Sequence, residues 1–121
     1  MTGFDGAAQP DPLSIITDTI EGVRVVVPRG EIDFGNRDHL ARTLLAPGGT
    51  APPRTVLDLS DVTFMDSSGI NLLVVAHRTA VDAKGWLRLA GLHGTVLRVV
   101  RMAGIDAAIP CYTTLRYALH A

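Results

Sequence analysis

Apolar and polar positions change period several times along the chain, and each change marks an element. Residues 13–20 alternate imperfectly, and residues 23–27 form a β-branched run. Both stretches predict strands. Glu21-Gly22 between them makes a short turn, so the two read as a hairpin. Gly30-Glu31-Ile32-Asp33 follows as a strand end or loop. Helical spacing then begins: Leu40, Leu44 and Leu45 share a face, with Asn36 as the expected N-cap. Pro47-Gly48-Gly49 ends that helix, and Pro52-Pro53 keeps the connector extended.

Residues 55–59 (Thr-Val-Leu-Asp-Leu) read as a strand covered on both faces. A long helix is expected over 69–83, with Ile70, Leu73, Val74 and Val81 on one side. Asn71, Arg78 and Asp82 lie on another. Lys84-Gly85 ends it. Residues 86–90 predict a further strand. Residues 94–102 predict a helix with Val96, Val99 and Val100 inward, Arg98 and Arg101 outward, and Gly104 as its C′ residue. A short last strand at 105–109 and a closing helix at 112–119 complete the pattern. Strands and helices alternating in this order predict an α/β fold, a mixed sheet of four to five strands with about four helices packed on it.

Composition narrows the classes. The 121 residues fit one domain, and 47% apolar content supports a real core. A formal net charge of -1 offers no excess of cations for nucleic-acid phosphates. Cys111 is the single cysteine, so no internal disulfide can form, which fits a reducing, cytoplasmic setting. No apolar stretch approaches the roughly 20 residues of a membrane helix. Residues 1–12 lack the basic and apolar regions of a signal peptide and read as a flexible tail, with the domain spanning 13–121.

The chemistry concentrates where the third strand hands over to the long helix, at Asp66-Ser67-Ser68-Gly69. Helix starts carry unpaired N–H groups and a partial positive charge. Asp and Ser favour that position as caps for structural reasons alone. Elsewhere the side chains are less suggestive. His39, His77, His93 and His120 are scattered without metal-ligand spacing. There is no Gly-x-Ser-x-Gly and no Gly-x-x-x-x-Gly-Lys. Ser67 as a hydrolase nucleophile would need a histidine such as His93 brought beside it. Arg98 and Arg101 read as a solvated face, Trp86 as a core-edge residue, and Cys111 as buried.

The stretch Phe64-Met65-Asp66-Ser67-Ser68-Gly69 resembles the signature of STAS-domain anti-sigma factor antagonists of bacteria. Two further matches accompany it: Gly30-Glu31-Ile32-Asp33, and the run from Val96 through Arg98 to Gly104-Ile105. The resemblance implies a non-enzymatic, cytoplasmic regulator of transcription that works by partner switching in stress or sporulation responses. It implies phosphorylation at Ser67, and a partner-binding surface of Asp33, Asp66, Ser68, Gly69 and Asn71. Its expected partners are an anti-sigma factor with a histidine-kinase-like ATPase fold, acting as a serine kinase, and a serine phosphatase. No cofactor, metal, nucleic acid or membrane is implied. In such proteins the unphosphorylated form binds the anti-sigma factor and frees the sigma factor. Three positions depart from the family pattern: Asn71 replaces a small glycine, Phe34 stands where polar residues are usual, and Gly94 stands where proline often begins the third helix. The alternative expectation is a STAS module that does not switch, an accessory subunit of a transporter or signalling complex.

Overall fold

The computed structural model of the chain describes residues 13–46, 49 and 51–121. The tail expected at 1–12, and Pro47 and Gly48 of the expected helix stop, lie outside these.

Among the described residues six strands form one sheet. β1 (Leu13–Ile20) and β2 (Val23–Ile32) pair as an antiparallel hairpin, with Ile20 opposite Val23 and Leu13 opposite Gly30. Their two-residue turn has positive φ at both Glu21 and Gly22, the geometry that matches the twist of a tight hairpin. β3 (Arg54–Asp58), β5 (Trp86–Ala90) and β6 (Cys111–Tyr112) then add in parallel, giving the order β1-β2-β3-β5-β6. β4 (Val62–Met65) pairs with the far half of β2, beyond the segment that pairs with β3. Pro28, which has no N–H to give a ladder, falls between the two segments (Arg24 to Val26, and Gly30 to Ile32).

Three helices cover one face: α1 (Arg37–Leu44), α2 (Ser67–Asp82) and α3 (Gly94–Met102). Leu40, Leu44, Leu72, Leu73, Ala76, Val96 and Val100 pack there against Val26, Leu57, Leu87 and Leu89 of the strands. The short α4 (Leu115–Leu119) lies on the opposite face, over Val23, Val56 and Ala90. There the Arg88 guanidinium stacks 3.8 Å from the Trp86 ring centre and donates to the Ala118 carbonyl.

Several expectations are corrected. The sheet has six strands rather than four to five. β4 joins it because the turn at Leu59–Val62 (Val62 N–H to Leu59 O, 3.1 Å) returns the chain to β2, which a four-residue segment could not reveal by its own pattern. Residues 105–107 form a 3₁₀ turn, and the last strand is Cys111–Tyr112. The closing helix is shorter than 112–119. α2 begins two residues earlier than expected, since Asp66 caps it. Its inward face is Gly69, Leu72, Leu73, Ala76 and Ala80, while Val81 is half exposed. Leu45 ends up outside the core, as the residue that closes α1.

Candidate functional site

β2 and β4 run parallel and end side by side, so the loops that follow them meet. The Asp66 N–H donates to Ile32 O at 3.1 Å, fixing the end of β4 against the end of β2. Asp66 itself is extended and its carboxylate works in two directions. Oδ1 accepts the N–H groups of Ser68 (2.9 Å) and Gly69 (3.3 Å) and a short bond from the Ser68 hydroxyl. Oδ2 accepts the N–H of Phe34 at 3.1 Å, across 32 residues of sequence. One carboxylate therefore caps α2 and ties it to the loop after β2. The Ser68 hydroxyl chiefly, helped by the three backbone N–H donors and opposed by partial burial, holds the Asp66 carboxyl below its ordinary value of 3.8.

The two serines are not equivalent. Ser68 is half-buried and its hydroxyl bonds Asp66. Ser67, the first residue of the helix, is exposed, and its hydroxyl has no hydrogen-bond partner among the described residues. His93, considered as a base for Ser67, instead places Nε2 2.8 Å from Ser60 O. The N–H groups of Ser68 and Gly69, which an uncapped helix start would leave unpaired, are occupied here by Asp66. A group added to Ser67 would stand beside that carboxylate and point to solvent.

The other expected site residues lie on the segments that flank this junction. Asp33 is half-buried, and its Oδ1 accepts the Asn36 N–H at 3.1 Å. Asn36 stands at the N-cap of α1 but makes no side-chain cap bond there. Its amide laces the loop instead, accepting from Asp33 N–H (2.9 Å) and donating to Glu31 O (2.8 Å). Gly69 is buried: a Cβ there would lie 2.5 Å from Met65 Cγ and 3.0 Å from Ile32 Cγ2. Its missing side chain lets the helix start sit on the core. Asn71 is exposed one turn along from Ser67, on the same face as Val75, Arg78 and Asp82.

Two aromatic residues that the sequence left without a direction also face solvent here. Phe34 is 82% exposed at the loop bonded to Asp66, and Phe64, two residues before Asp66, is 44% exposed. Nothing in their local pattern distinguishes them from core residues; only the loop and register turn them outward. Cys111 is half-buried, its thiol donating to Ile109 O, and burial with the nearby Asp106 charge pushes its pKa up, away from a reactive thiolate. Among the described residues no group of three His, Cys, Asp or Glu is arranged to hold a metal, and no helix is long and apolar enough to cross a membrane.

Comparison with known proteins follows the same lines. A family model for the STAS domain matches residues 14–118. A Bordetella bronchiseptica protein bearing the name of an anti-sigma factor antagonist, BtrV, is 24% identical over 98 residues, covering 81% of this chain and 84% of that protein. The crystal structure of an anti-sigma factor antagonist from Mycobacterium paratuberculosis superposes with a TM-score of 0.81 at 30% identity, over 93% of this chain and 95% of that one. An anti-sigma-factor antagonist (STAS) domain protein from Planctomyces limnophilus gives a TM-score of 0.77 at 26% identity, over 88% and 95% of the two chains.

Proposed function

The chain belongs to the STAS domain family, and from that membership we propose that it is an anti-sigma factor antagonist switched by phosphorylation of Ser67. In its unphosphorylated form it binds an anti-sigma factor that is also a serine kinase, and so releases a sigma factor. Transfer of phosphate to Ser67 ends the binding, and a serine phosphatase restores it.

One observation carries this reading: of the two adjacent hydroxyls, that of Ser67 is exposed and unbonded, while that of Ser68 is held by Asp66. A kinase can reach the first without breaking a contact. The names of the relatives point to the same class of partner.

The electrostatics favour loss of binding on modification. A phosphate brings about -1.5 to -2 charges at neutral pH. It would sit next to Asp66, whose carboxylate stays ionised and already saturates the nearest helix N–H groups. Repulsion falls on the docking surface, while the cap that organises α2 stays intact. The switch is local and needs no refolding. On this reading the docking surface takes in Asp33, Asp66, Ser68, Gly69 and Asn71, together with the exposed Phe34 and Phe64.

Mass spectrometry of the protein from its own cells, with and without the candidate kinase, tests the assignment. Phosphate is expected on Ser67 and absent from Ser68. Purified Ser67→Ala should bind the anti-sigma factor like wild type but accept no phosphate, and Ser67→Asp should bind weakly. Equal affinity of wild type and Ser67→Asp for that partner would overturn the switch.

A further inference from the structure

A cavity of about 260 Å³ opens at the end of the helical layer far from Ser67. Its floor is a row across three neighbouring strands: Arg24 of β2 pairs with Thr55 of β3, which pairs with Leu87 of β5. The next row, Val26, Leu57 and Leu89, is wholly apolar and fully covered. Over the first row the walls include Leu44 at the end of α1, Ala51 and Pro53 before β3, and the small Ala76 and Ala80 of α2, one turn apart. Alanines where longer side chains would fill the layer leave the space open.

Two polar groups in this floor, Thr55 and Arg24, have bonding capacity left over. Thr55 is only 4% exposed, yet its hydroxyl has no hydrogen-bond partner among the described residues. Thr55 is one of the residues that line the cavity. Arg24 is half-buried and no carboxylate lies within ion-pair distance among the described residues. Its guanidinium donates to Leu44 O (2.9 Å) and Ala46 O (3.3 Å) at the end of α1. Five N–H groups on a guanidinium leave donors to spare. A buried hydroxyl without a partner is costly unless something completes it, and a half-buried guanidinium bonded only to carbonyls can still take an anion.

We propose that this cavity binds a small apolar carboxylate, its hydrocarbon body against Leu44, Ala76, Ala80 and Leu87 and its carboxylate on Arg24 and Thr55. The volume equals about nine liquid waters at ~30 Å³ each, which suits a monocyclic or short branched acid. Mostly apolar walls with a few convergent polar groups are the usual make-up of ligand sites. The site is independent of the Ser67 reading.

The test is titration of the isotope-labelled full chain, followed by amide NMR, with 3-phenylpropionate, benzoate and 4-methylpentanoate, each beside its neutral alcohol. Saturable shifts are expected at Thr55, Ala80 and Leu87 and not at Ser67, with each acid binding roughly tenfold more tightly than its alcohol. Thr55→Val should weaken the acids, and Ala80→Leu should abolish binding while the protein stays folded by circular dichroism. If Ala80→Leu does not fold, Ala76→Val serves in its place. Absence of saturable shifts for all three acids at low millimolar concentration would overturn the proposal. So would equal binding of acids and alcohols, or unchanged binding in the cavity-filling variant.

Discussion

The two ends of α2 are built on opposite principles. The helix is 16 residues long, about 24 Å at 1.5 Å per residue. At its start, the polar groups of Asp66, Ser68 and the Phe34 backbone satisfy one another, and one hydroxyl, on Ser67, is left over at the surface. At its far end, small apolar residues leave a hollow, lined by the unpaired Thr55 hydroxyl and by Arg24, whose guanidinium is bonded only to backbone carbonyls. A closed hydrogen-bond network makes a rigid platform on which a single added charge has a defined effect. An open hollow with unmet polar groups accepts a molecule instead. On the two proposals, the same helix presents a surface to be modified at one end and a space to be filled at the other.

The largest effect that would separate the ends comes from Gly85, just past the helix. A Cβ there would lie 1.8 Å from the Pro53 carbonyl oxygen, a backbone atom that cannot step aside. Gly85→Ala should cost about 3 kcal/mol in urea unfolding, while the protein that remains folded keeps Ser67 as a phosphate acceptor. Loss of phosphorylation in the folded fraction would show that the ends are coupled.

At the other end, Asp66→Ala removes the cap and the tie to Phe34, and about 2 kcal/mol should be lost. The acid dependence sharpens this. The Asp66 carboxyl is lower in the folded chain than its ordinary value of 3.8, so its contribution is full above that value. It is lost as the pH falls through the folded-state pKa, because the unfolded chain takes up the proton first. Urea midpoints measured from neutral pH downwards should therefore fall below about pH 4 in wild type, and less steeply in Asp66→Asn.

The smallest effects decide between the serines. Ser68→Ala removes the hydroxyl bond to Asp66 and should cost about 1 kcal/mol, with phosphorylation of Ser67 retained. Ser67→Ala breaks no bond and should shift stability by less than about 0.5 kcal/mol, with phosphorylation lost. Equal destabilisation by the two, measured by urea unfolding, would contradict the difference in their hydrogen bonding.

Much of the fold was legible because periodicity is local. The hairpin turn at Glu21-Gly22, the β5 strand at 86–90 and the α3 helix at 94–102 appear where the alternation of apolar residues put them. What failed depended on distant partners. Val62–Met65 is a strand only because β2 is long enough to carry a second neighbour beyond Pro28. Asn36 was a reasonable cap by type, but Asp33 and Glu31 offered it better partners in the loop. Helical spacing groups Val81 with Ile70 and Val74, on the flank of the buried stripe of Leu72, Leu73, Ala76 and Ala80, and there it is half exposed.

By itself the sequence determined the alternation of strands and helices and the junction where Asp66, Ser67, Ser68 and Gly69 stand together. Hydrophobic period and capping chemistry act over a few residues and can be read along the chain. Only the tertiary structure decided which of two neighbouring hydroxyls is free, and that Arg24, Thr55 and Leu87 share one hollow. Both depend on contacts between residues far apart in sequence, fixed by strand register and helix placement, and no local pattern carries that information.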